Sequence, residues 1–333
     1  MEIMKKVVVI GSAVIDVLLK SKSLHVMKSH EMEGGVAMCE VLGGKTEAED
    51  GVLATGGGGT NVAVGLHRLG EAVKMICRVG DDDLSELLIK QMEKENVDLS
   101  FVQRAKGKTG ISAVLVAPDG SRSIVTYRGE SGEIERNEIS WEEIKKADWM
   151  QISSLGGEMD LLDDLVSFAL ENGIKIGVNP GKKELAQKER LLRLLPKFDL
   201  FNLNRMEAAE LWGGDFDDEE MLVKKFVEAG VKLLMITDGG RGAGVCEKGR
   251  WFKMDAFPDK SIDDTGAGDA FVAGVVSGLL QERSADEALK MGLANGGSVV
   301  TYLGAKEGLL YKDGMEKRLK KKIKSVEENI GVL

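Results

Sequence analysis

Cysteine is scarce in this sequence and long apolar runs are missing, and each absence excludes a class of protein. Only Cys39, Cys77 and Cys246 occur among 333 residues, and no two of them form a CxxC pair. Such an odd, scattered set indicates neither a disulfide framework nor a zinc site, and it fits a reducing cytoplasm. No apolar stretch reaches the roughly 18 residues of a transmembrane helix. Asp16 interrupts the amino-terminal apolar run and no small-residue cleavage site follows, so we favour a buried first strand over a signal peptide.

Basic charge is scarce relative to acidic charge. Forty-five Lys and Arg residues against fifty-five Asp and Glu residues give a formal net charge of −10, which argues against broad nucleic-acid binding because that needs a basic face. A basic cluster over 317–324 interleaves with Leu319, Ile323, Val326 and Ile330 at helical spacing. We interpret it as a solvated amphipathic end helix rather than a membrane or RNA contact. Neither a membrane nor a nucleic acid is therefore an expected partner.

Several common ligand-binding motifs are incomplete. The GGKT sequence of Gly43–Thr46 resembles the end of a phosphate-binding P-loop, but Cys39 stands where that motif needs its first glycine. The glycine fingerprint of dinucleotide-binding folds is missing, because Gly11 alone follows the first predicted strand. The histidines lack metal-ligand spacing, and no GxSxG sequence supports a serine hydrolase.

Strand-like and helix-like segments alternate along the chain. The continuous apolar run of Lys6–Gly11 is typical of a strand that is covered on both faces. Further predicted strands are Val73–Val79, Met150–Ser153, Ile174–Val178, Leu200–Leu203 and Leu233–Thr237, and the predicted helices are Leu84–Met92, Leu161–Asn172, Lys183–Leu195, Met206–Trp212 and Glu219–Ala229. This order predicts an α/β fold with a mostly parallel central sheet and helices on both faces.

Two regions interrupt the alternation. Residues 20–55 are rich in Gly, Glu and Lys and lack a helical period, and residues 109–129 alternate around a Pro118-Asp119-Gly120 turn that predicts a hairpin. Ligands of open α/β sheets bind at the carboxyl ends of the strands. We therefore interpret both regions as a small antiparallel lid over that edge, and we assign 1–19, 56–108 and 130–333 to the catalytic domain.

A run of glycines opens the first of two motifs that are complete. Gly56–Gly59 precede Thr60-Asn61 and then an apolar helix face. Successive glycines let the backbone approach a ligand closely, because no Cβ stands in the way. The Asn61 amide offers a donor and an acceptor that suit a sugar hydroxyl. The alternative from these residues alone is a flexible loop that Asn61 caps as the helix begins.

The second motif is DDTGAGDAFVAG, Asp263–Gly274. If a helix begins near Thr265, the amides of Gly266–Asp269 point outward, unpaired, at the positive end of the helix dipole and form an anion site without a lysine. A carboxylate beside a bound phosphate would be repulsive unless it accepts a proton from an attacking hydroxyl. The alternative is a tight connection with a charged helix cap. Together the two motifs fit the transfer of phosphate to an alcohol.

Both motifs resemble the signatures of the ribokinase-like (PfkB) carbohydrate kinases. The amino-terminal signature is GGGGTNVAVGLHRLG (Gly56–Gly70) and the carboxyl-terminal one is DDTGAGDAF (Asp263–Phe271). The resemblance extends over nearly the whole chain. It implies a ribokinase-like three-layer α/β/α sandwich with a mostly parallel central sheet and a small antiparallel β lid. It also implies ATP-dependent, Mg²⁺-assisted phosphate transfer to a primary hydroxyl of a sugar or sugar acid.

The resemblance assigns roles to individual residues. Asp269 would be the general base, Glu207 would organise Mg²⁺ through water, and Asp263 would help to bind a monovalent cation such as K⁺. The residues implied to stabilise charge on the transferred group are Gly266, Ala267 and Gly268. Those implied to bind the acceptor are Asp16, Gly57, Gly58 and Asn61, with Arg128 as a candidate for a phosphorylated acceptor. Those implied to bind the nucleotide are Asn204, Thr237, Gly239, Gly242 and Asn295.

The sequence departs from the family pattern in several places. Asp264 stands where the family commonly has Thr, and it adds a negative charge beside the expected anion site. Ser153-Ser154 stand where ribokinases place a sugar-binding glutamate, which puts ribose in doubt. The segment 20–55 is longer than a simple lid needs, which suggests a homodimer formed through the lid or a larger acceptor.

Two other functions remain open. A nucleoside kinase of the same family needs an apolar or aromatic slot for the base, yet aromatic residues make up 5% of the chain and none lies within 20–55. A catalytically silent, ligand-binding regulator of the same fold is the other alternative, and the intact Asp269 with its glycines argues against it.

Overall fold

Strands and helices alternate through the described residues of the computed structural model, which are 4–29, 36–213 and 218–329. The strands are β1 (Lys6–Ile10), β2 (Val14–Lys20), β3 (His25–Lys28), β4 (Val36–Cys39), β5 (Asp50–Gly56), β6 (Ala72–Ile76), β7 (Arg78–Val79), β8 (Gln103–Arg104), β9 (Gly110–Val116), β10 (Arg122–Tyr127), β11 (Trp149–Ile152), β12 (Lys175–Val178), β13 (Leu200–Asn204), β14 (Leu233–Thr237), β15 (Ala243–Glu247), β16 (Arg250–Met254) and β17 (Ser325–Asn329). The α-helices are α1 (Gly58–Arg68), α2 (Asp83–Lys94), α3 (Trp141–Ile144), α4 (Met159–Asn172), α5 (Lys182–Leu185), α6 (Lys188–Leu194), α7 (Arg205–Trp212), α8 (Glu219–Glu228), α9 (Ala267–Leu280), α10 (Ala285–Val299) and α11 (Lys312–Leu319).

A nine-stranded sheet in the order β17-β16-β15-β14-β13-β12-β11-β1-β6 forms the middle layer. The strands from β14 to β6 in this order pair in parallel, and β15, β16 and β17 extend the sheet antiparallel. The parallel strands therefore end at one common edge. The predicted mostly parallel sheet is confirmed.

Strand β1 shows why its sequence is apolar without interruption. Val7 and Val9 pack into one core with residues of α1, α9 and α10, whereas Val8 and Ile10 pack into a second core with residues of α4, α6 and α8. Successive side chains of a strand point to opposite faces, so a strand covered on both sides must be apolar throughout. The two cores establish the predicted three-layer α/β/α architecture.

A separate sheet in the order β10-β9-β2-β5 forms the lid. Its pairings are antiparallel except between β2 and β9, which run parallel. The predicted hairpin is confirmed: β9 and β10 are joined by a turn in which the Gly120 N–H donates to the Ala117 carbonyl oxygen at 3.0 Å. Leu18, Val114 and Val116 form the small core of the lid.

The predicted lid boundary was wrong at its amino-terminal side. We assigned residues 1–19 to the catalytic domain, but Val14–Lys20 form a central lid strand between β9 and β5. Asp16 accordingly lies within β2, not at the end of the first strand. The apolar sequence from 6 to 19 contains no turn signal strong enough to show that it forms two strands in different sheets.

The predicted amphipathic helix at the carboxyl end was also wrong. Helix α11 ends at Leu319, and the chain returns as β17, whose Val326 pairs with Lys253 of β16. The open edge of the sheet offers a ladder of backbone hydrogen bonds that a helix would not satisfy. Ile330, the last residue of the predicted pattern, lies outside the described residues. None of the helices in the described ranges is both long and apolar enough to cross a bilayer.

Helices α9 and α10 lie so close that their contact requires glycine. A methyl group on Gly274 would lie 2.5 Å from the carbonyl oxygen of Met291, and one on Gly278 would lie 2.9 Å from Ala288 Cα. Backbone lies against backbone at both points, so a larger residue cannot be accommodated by a side-chain rotation. This contact fixes the position of α9, whose first turn carries Asp269.

We predict that Gly274→Ala lowers the free energy of unfolding by about 1–3 kcal/mol, because the added methyl group overpacks the contact between α9 and α10. Urea denaturation of the purified protein measures this. The matched control is Gly314→Ala in α11, where the new methyl group lies 3.4 Å from the flexible end of Leu310 and should stabilise the helix by up to about 1 kcal/mol. If Gly274→Ala leaves the free energy of unfolding unchanged, the contact between α9 and α10 is not as close as we infer.

Candidate active site

The two glycine-containing motifs meet at the ends of two helices. Asn61 lies in α1 and Asp269 in the first turn of α9. The Asn61 Nδ2 donates a hydrogen bond to Asp269 Oδ2 at 2.8 Å, although 208 positions separate the two residues. The structure thus brings together the residues that the sequence analysis selected from opposite ends of the chain.

Two of the four successive glycines make room for carboxylates. A Cβ on Gly56 would overlap the carboxylate of Asp16, and a Cβ on Gly58 would lie 3.2 Å from Asp269 Oδ1. The glycines therefore form the floor of a site with a carboxylate at each side. The alternative of a flexible loop capped by Asn61 was wrong, because α1 begins at Gly58 and Asn61 is buried inside it.

Three backbone amides at the start of α9 have no acceptor in the part of the chain that the structure describes. Gly266 is in the left-handed conformation (φ 77°) just before the helix, and the N–H groups of Gly266, Gly268 and Asp269 donate to no described residue. The Ala267 amide was expected to be unpaired as well, and this was wrong. Its N–H donates to the Asp264 carbonyl oxygen at 3.3 Å, because Gly266 closes a turn there. A Cβ on Gly268 would meet nothing within 4 Å. Gly268 is also exposed, and free amides at an accessible helix start suit an anion.

The carboxyl group of Asp269 has the electrostatic surroundings of a proton acceptor. Burial raises its pKa, while the Asn61 hydrogen bond and the positive charges of Lys306 and Arg122 oppose that rise. The pKa of Asp16 is also raised by burial and is opposed by Lys306 and by a hydrogen bond with Ser112. A carboxylate with a raised pKa binds a proton more tightly than an exposed one, which favours general-base chemistry.

Lys306 is a site residue that the sequence analysis missed. Its side chain is buried, and its Nζ donates to the Thr55 carbonyl oxygen at 2.5 Å, to Thr60 Oγ1 at 2.8 Å and to Asn61 Oδ1 at 2.5 Å. A lysine is rarely buried, and nothing in the local sequence GAKEG distinguishes this one from an exposed lysine. Only the fold places it under the glycine floor.

Arg122 is a second residue that the sequence did not indicate. It lies beside Asp264, the acid that adds a negative charge next to the expected anion site. It extends from lid strand β10, and its Nη1 lies 3.9 Å from Asp264 Oδ2. Ser261 Oγ donates to the other oxygen of Asp264 at 2.6 Å. The additional acid is therefore paired with a hydroxyl group and a lid cation, which reduces its repulsion toward an anion at the amides of α9.

Ser153 replaces the glutamate that ribokinases have after this strand. It is 4% exposed, and its Oγ has no hydrogen-bond partner among the described residues. The same oxygen lies 3.4 Å from the position that a Cβ on Gly58 would occupy. A buried hydroxyl group without a partner beside the glycine floor is available to a ligand.

The residues predicted to bind the nucleotide lie mainly at the carboxyl ends of β13 and β14. Asn204 pairs in register with Thr237, and Gly239 (φ 53°) and Gly242 (φ 101°) form the turn that follows. Glu207 is tied to Asn204 by two hydrogen bonds, from Glu207 N to Asn204 Oδ1 at 2.9 Å and from Asn204 N to Glu207 Oε2 at 2.8 Å. This capping box fixes Glu207 at the sheet edge, and burial raises its pKa.

One predicted nucleotide contact was wrong. Asn295 is fully buried; its Nδ2 donates to the Ala270 carbonyl oxygen at 2.8 Å, and its Oδ1 accepts from the Leu310 N–H at 2.9 Å. Both ends of the amide are used to join α10 to α9 and to the loop before α11. Because the side chain has no exposed surface, it offers adenine no contact, and we withdraw it from the nucleotide site.

Two other predicted residues have clear surroundings but untested roles. Asp263 is buried and accepts hydrogen bonds from the Thr265 N–H and Oγ1 (2.9 and 2.6 Å) and from the Gly304 N–H (2.8 Å), so it clamps the loop at Gly304 to the start of α9. Its part in binding a monovalent cation stays a prediction. Arg128 is exposed, and its guanidinium group forms no hydrogen bond or ion pair with any residue that the structure describes, so its role in binding a phosphorylated acceptor also stays a prediction.

The chain is similar to known proteins over most of its length. The profile of the family described as pfkB family carbohydrate kinase matches residues 4–311. Ribokinase of Haemophilus influenzae is 30% identical over 263 residues, which cover 77% of this chain and 84% of that protein.

Solved structures of two kinases share the fold. Ribokinase of Arabidopsis thaliana complexed with ribose and ATP has a TM-score of 0.76 at 20% identity, over 96% of this chain and 100% of that chain. A nucleoside kinase of Burkholderia thailandensis in complex with inosine has a TM-score of 0.75 at 16% identity, over 95% of this chain and 97% of that chain. The fold is thus common to proteins with different acceptors.

Proposed function

Because the chain belongs to the pfkB family of carbohydrate kinases, we propose that it transfers a phosphoryl group from ATP to a primary hydroxyl group of a sugar or sugar acid. The observation that carries this proposal is the hydrogen bond between Asn61 and Asp269 beside the free amides of α9. In the proposed mechanism, Asn61 binds the acceptor, Asp269 is the base and the free amides of α9 bind the anion. Phosphate transfer to an alcohol needs these three elements.

The proposed step moves one phosphoryl group and one proton. The acceptor oxygen forms a bond to the γ-phosphorus as the bond from that phosphorus to the bridging oxygen of ADP breaks. The proton of the hydroxyl passes to Asp269 Oδ1, which accepts no hydrogen bond from the described residues, whereas Oδ2 is held by Asn61. The amides of Gly266 and Gly268 support the negative charge of the transferred group. Asp16, Asn61, Ser153 and the backbone of Gly57 and Gly58 hold the acceptor.

We predict that Asp269→Asn lowers kcat by at least roughly 10²-fold while ATP binding is largely kept, because the variant loses the general base but not the amides. Steady-state kinetics and calorimetric ATP binding measure the two effects. Asp286→Asn is the matched control, since Asp286 lies in the first turn of the neighbouring helix α10 and takes no part in the site. Near-normal turnover of Asp269→Asn would remove Asp269 from this role.

We propose that Mg²⁺ is held near Glu207, through water, together with the phosphates of ATP. Among the described residues no three His, Cys, Asp or Glu side chains form a metal-binding group, and Mg²⁺ is commonly held by one or two carboxylates with substrate phosphates. When bound, the ion would neutralise phosphate charge. Asn204 orients Glu207 through the capping box, and Thr237, Gly239 and Gly242 hold the nucleotide at the same sheet edge. Asp263 remains the proposed residue for a monovalent cation such as K⁺.

Glu207→Gln should separate the metal role from the capping role. Glutamine keeps a capping box, so stability should stay within about 0.5 kcal/mol of the wild type. The Mg²⁺ concentration for half-maximal rate should rise about tenfold, the low end for the loss of an outer-shell ligand. Glu210→Gln on the same helix is the control, because Glu210 is exposed. Equal Mg²⁺ dependence in the two variants would contradict the role of Glu207.

The inner face of the lid favours an acceptor with several hydroxyl groups. Asp16, Ser112 and Thr126 lie in one row across β2, β9 and β10, and Thr126 Oγ1 donates to Ser112 Oγ at 3.2 Å. A polar row suits hydroxyl groups better than a nucleobase, so a nucleoside kinase is the second candidate and a silent regulator the third. A phosphorylation assay over sugars, sugar acids, sugar phosphates and nucleosides discriminates among them. Activity confined to sugar phosphates would assign Arg128 its proposed contact.

The outer face of the lid supports the proposal of a homodimer. Leu53 (49% exposed), Val125 (71%) and Tyr127 (55%) lie on this face with Leu19 (40%), and a patch of apolar side chains marks an interaction surface. The expectation of a cytoplasmic location stays a prediction.

Val125→Asp should shift the protein from dimer to monomer, because a desolvated carboxylate at the centre of the interface is costly. Sedimentation velocity measures the change. Leu170→Asp is the matched control. Leu170 is also apolar and 49% exposed, but it belongs to helix α4 and not to the lid. A wild-type protein that sediments as a monomer at all concentrations would contradict the dimer.

A further inference from the structure

A buried cation lies directly beneath the two proposed functional carboxylates. Lys306 is 8% exposed, and it follows the loop that Asp263 clamps at Gly304. A methyl group on Gly266 would overlap Ala305, so the start of α9 lies against the residue before Lys306. The backbone that carries Lys306 therefore contacts the start of α9, where the free amides lie.

The ammonium group of Lys306 has no hydrogen left for a substrate. A protonated lysine has three N–H donors. They go to the Thr55 carbonyl oxygen, to Thr60 Oγ1 and to Asn61 Oδ1. Thr60 uses its own hydrogen to donate to the carbonyl oxygens of Gly56 and Gly57, so it can only accept from Lys306. Only the charged form of the lysine can donate to all three of these oxygen atoms. It then has no N–H group left for the substrate that accepts the phosphoryl group.

Lys306 decides which way the Asn61 amide faces. The oxygen of an asparagine amide accepts hydrogen bonds and its nitrogen donates them, and a half-turn of the amide group exchanges the positions of these two atoms. Because Lys306 can only donate, it takes Oδ1, which leaves Nδ2 to point at Asp269. With the amide reversed, an oxygen would face the Asp269 carboxylate and repel it. The chain Lys306–Asn61–Asp269 thus permits one orientation of the amide.

Charged groups from several elements surround the pair of Lys306 and Asp269. Asp16 of β2 and Asp269 of α9 attract the lysine, Glu95 after α2 adds to this, and Arg68 of α1 opposes it. Burial lowers the pKa of Lys306 to about 7, and the three acceptors with the two carboxylates favour its charged form. Arg122 of the lid also acts on Asp269 as a cation. Lys306 is the cation bound to Asn61 itself.

We infer that Lys306 is a positioning residue for phosphoryl transfer: it orients Asn61 toward Asp269 and keeps that carboxyl group ionised so that it can accept a proton. This inference rests on the proposed function, in which Asp269 is the general base. Lys306 does not touch the acceptor or the phosphates. Its removal should therefore change the protonation of Asp269 and the rate, and leave KM for ATP unchanged.

The test measures the protonation of Asp269 directly. The Asp269 carboxyl carbon is followed by ¹³C NMR with labelled aspartate and assigned with Asp269→Asn. In Lys306→Met its pKa should rise by about one unit or more, the effect of losing a neighbouring opposite charge. The acid limb of the pH profile of kcat/KM should move to higher pH by the same amount, because the base must be deprotonated to act.

Two further variants separate charge from orientation. Lys306→Gln loses the charge but keeps an N–H donor on a side chain that is one bond shorter, so the Asp269 pKa should rise as in Lys306→Met while kcat at high pH falls less. It also carries the test if Lys306→Met does not fold. Lys290→Met is the control for a lost lysine, since among the described residues Lys290 Nζ donates only to the Leu319 carbonyl oxygen at 2.7 Å, and it should leave the Asp269 pKa unchanged.

The outcomes distinguish this inference from the proposed function. An unchanged Asp269 pKa in folded Lys306→Met or Lys306→Gln would overturn the inference even if Asp269→Asn is inactive. A raised Asp269 pKa without a matching shift of the acid limb would also overturn it, because Lys306 would then act on a carboxyl group that does not limit the rate. Near-normal turnover of Asp269→Asn would instead overturn the proposed function.

Discussion

The hydrogen bond from Asn61 to Asp269 is the interaction on which the rest of the site depends. It joins the first turns of α1 and α9, two helices that begin at glycine-rich turns and that come from opposite ends of the chain. The two helix starts then have separate roles. The glycine backbone at the start of α1 lies beneath the acceptor, and the start of α9 provides the free amides. Without this bond, the carboxyl group of Asp269 would not be tied to the first turn of α1.

The fold maintains that bond through backbone packing rather than through long side chains. The close approach of α9 to α10 at Gly274 and the Asp263 clamp at Gly304 leave α9 little freedom to move. The same clamp delivers Lys306 beneath the glycine floor. Structural and chemical roles therefore coincide: residues that look like packing features, such as Asn295 and Asp263, hold the amides and the lysine where the chemistry needs them.

The sequence could predict the layered architecture, both motifs and the hairpin at Pro118, because local periodicity and glycine spacing carry that information. It could not predict Lys306, Arg122 or Ser153, since each acquires its surroundings only from residues distant in the chain. It placed β2 and β17 wrongly for the same reason, because which sheet a strand joins depends on the free edges of the folded molecule. Asn295 was misassigned because the sequence does not show whether a polar side chain is buried in the folded protein.

The most direct test of the central claim is a crystal structure with ADP, Mg²⁺, aluminium fluoride as a mimic of the transferred phosphoryl group, and a sugar acceptor. We expect the fluoride ligands to lie about 3 Å from the amide nitrogens of Gly266 and Gly268, with the acceptor hydroxyl hydrogen-bonded to Asp269 Oδ1. A phosphoryl mimic bound elsewhere, with these amides facing only water and the hydroxyl turned from Asp269, would contradict it.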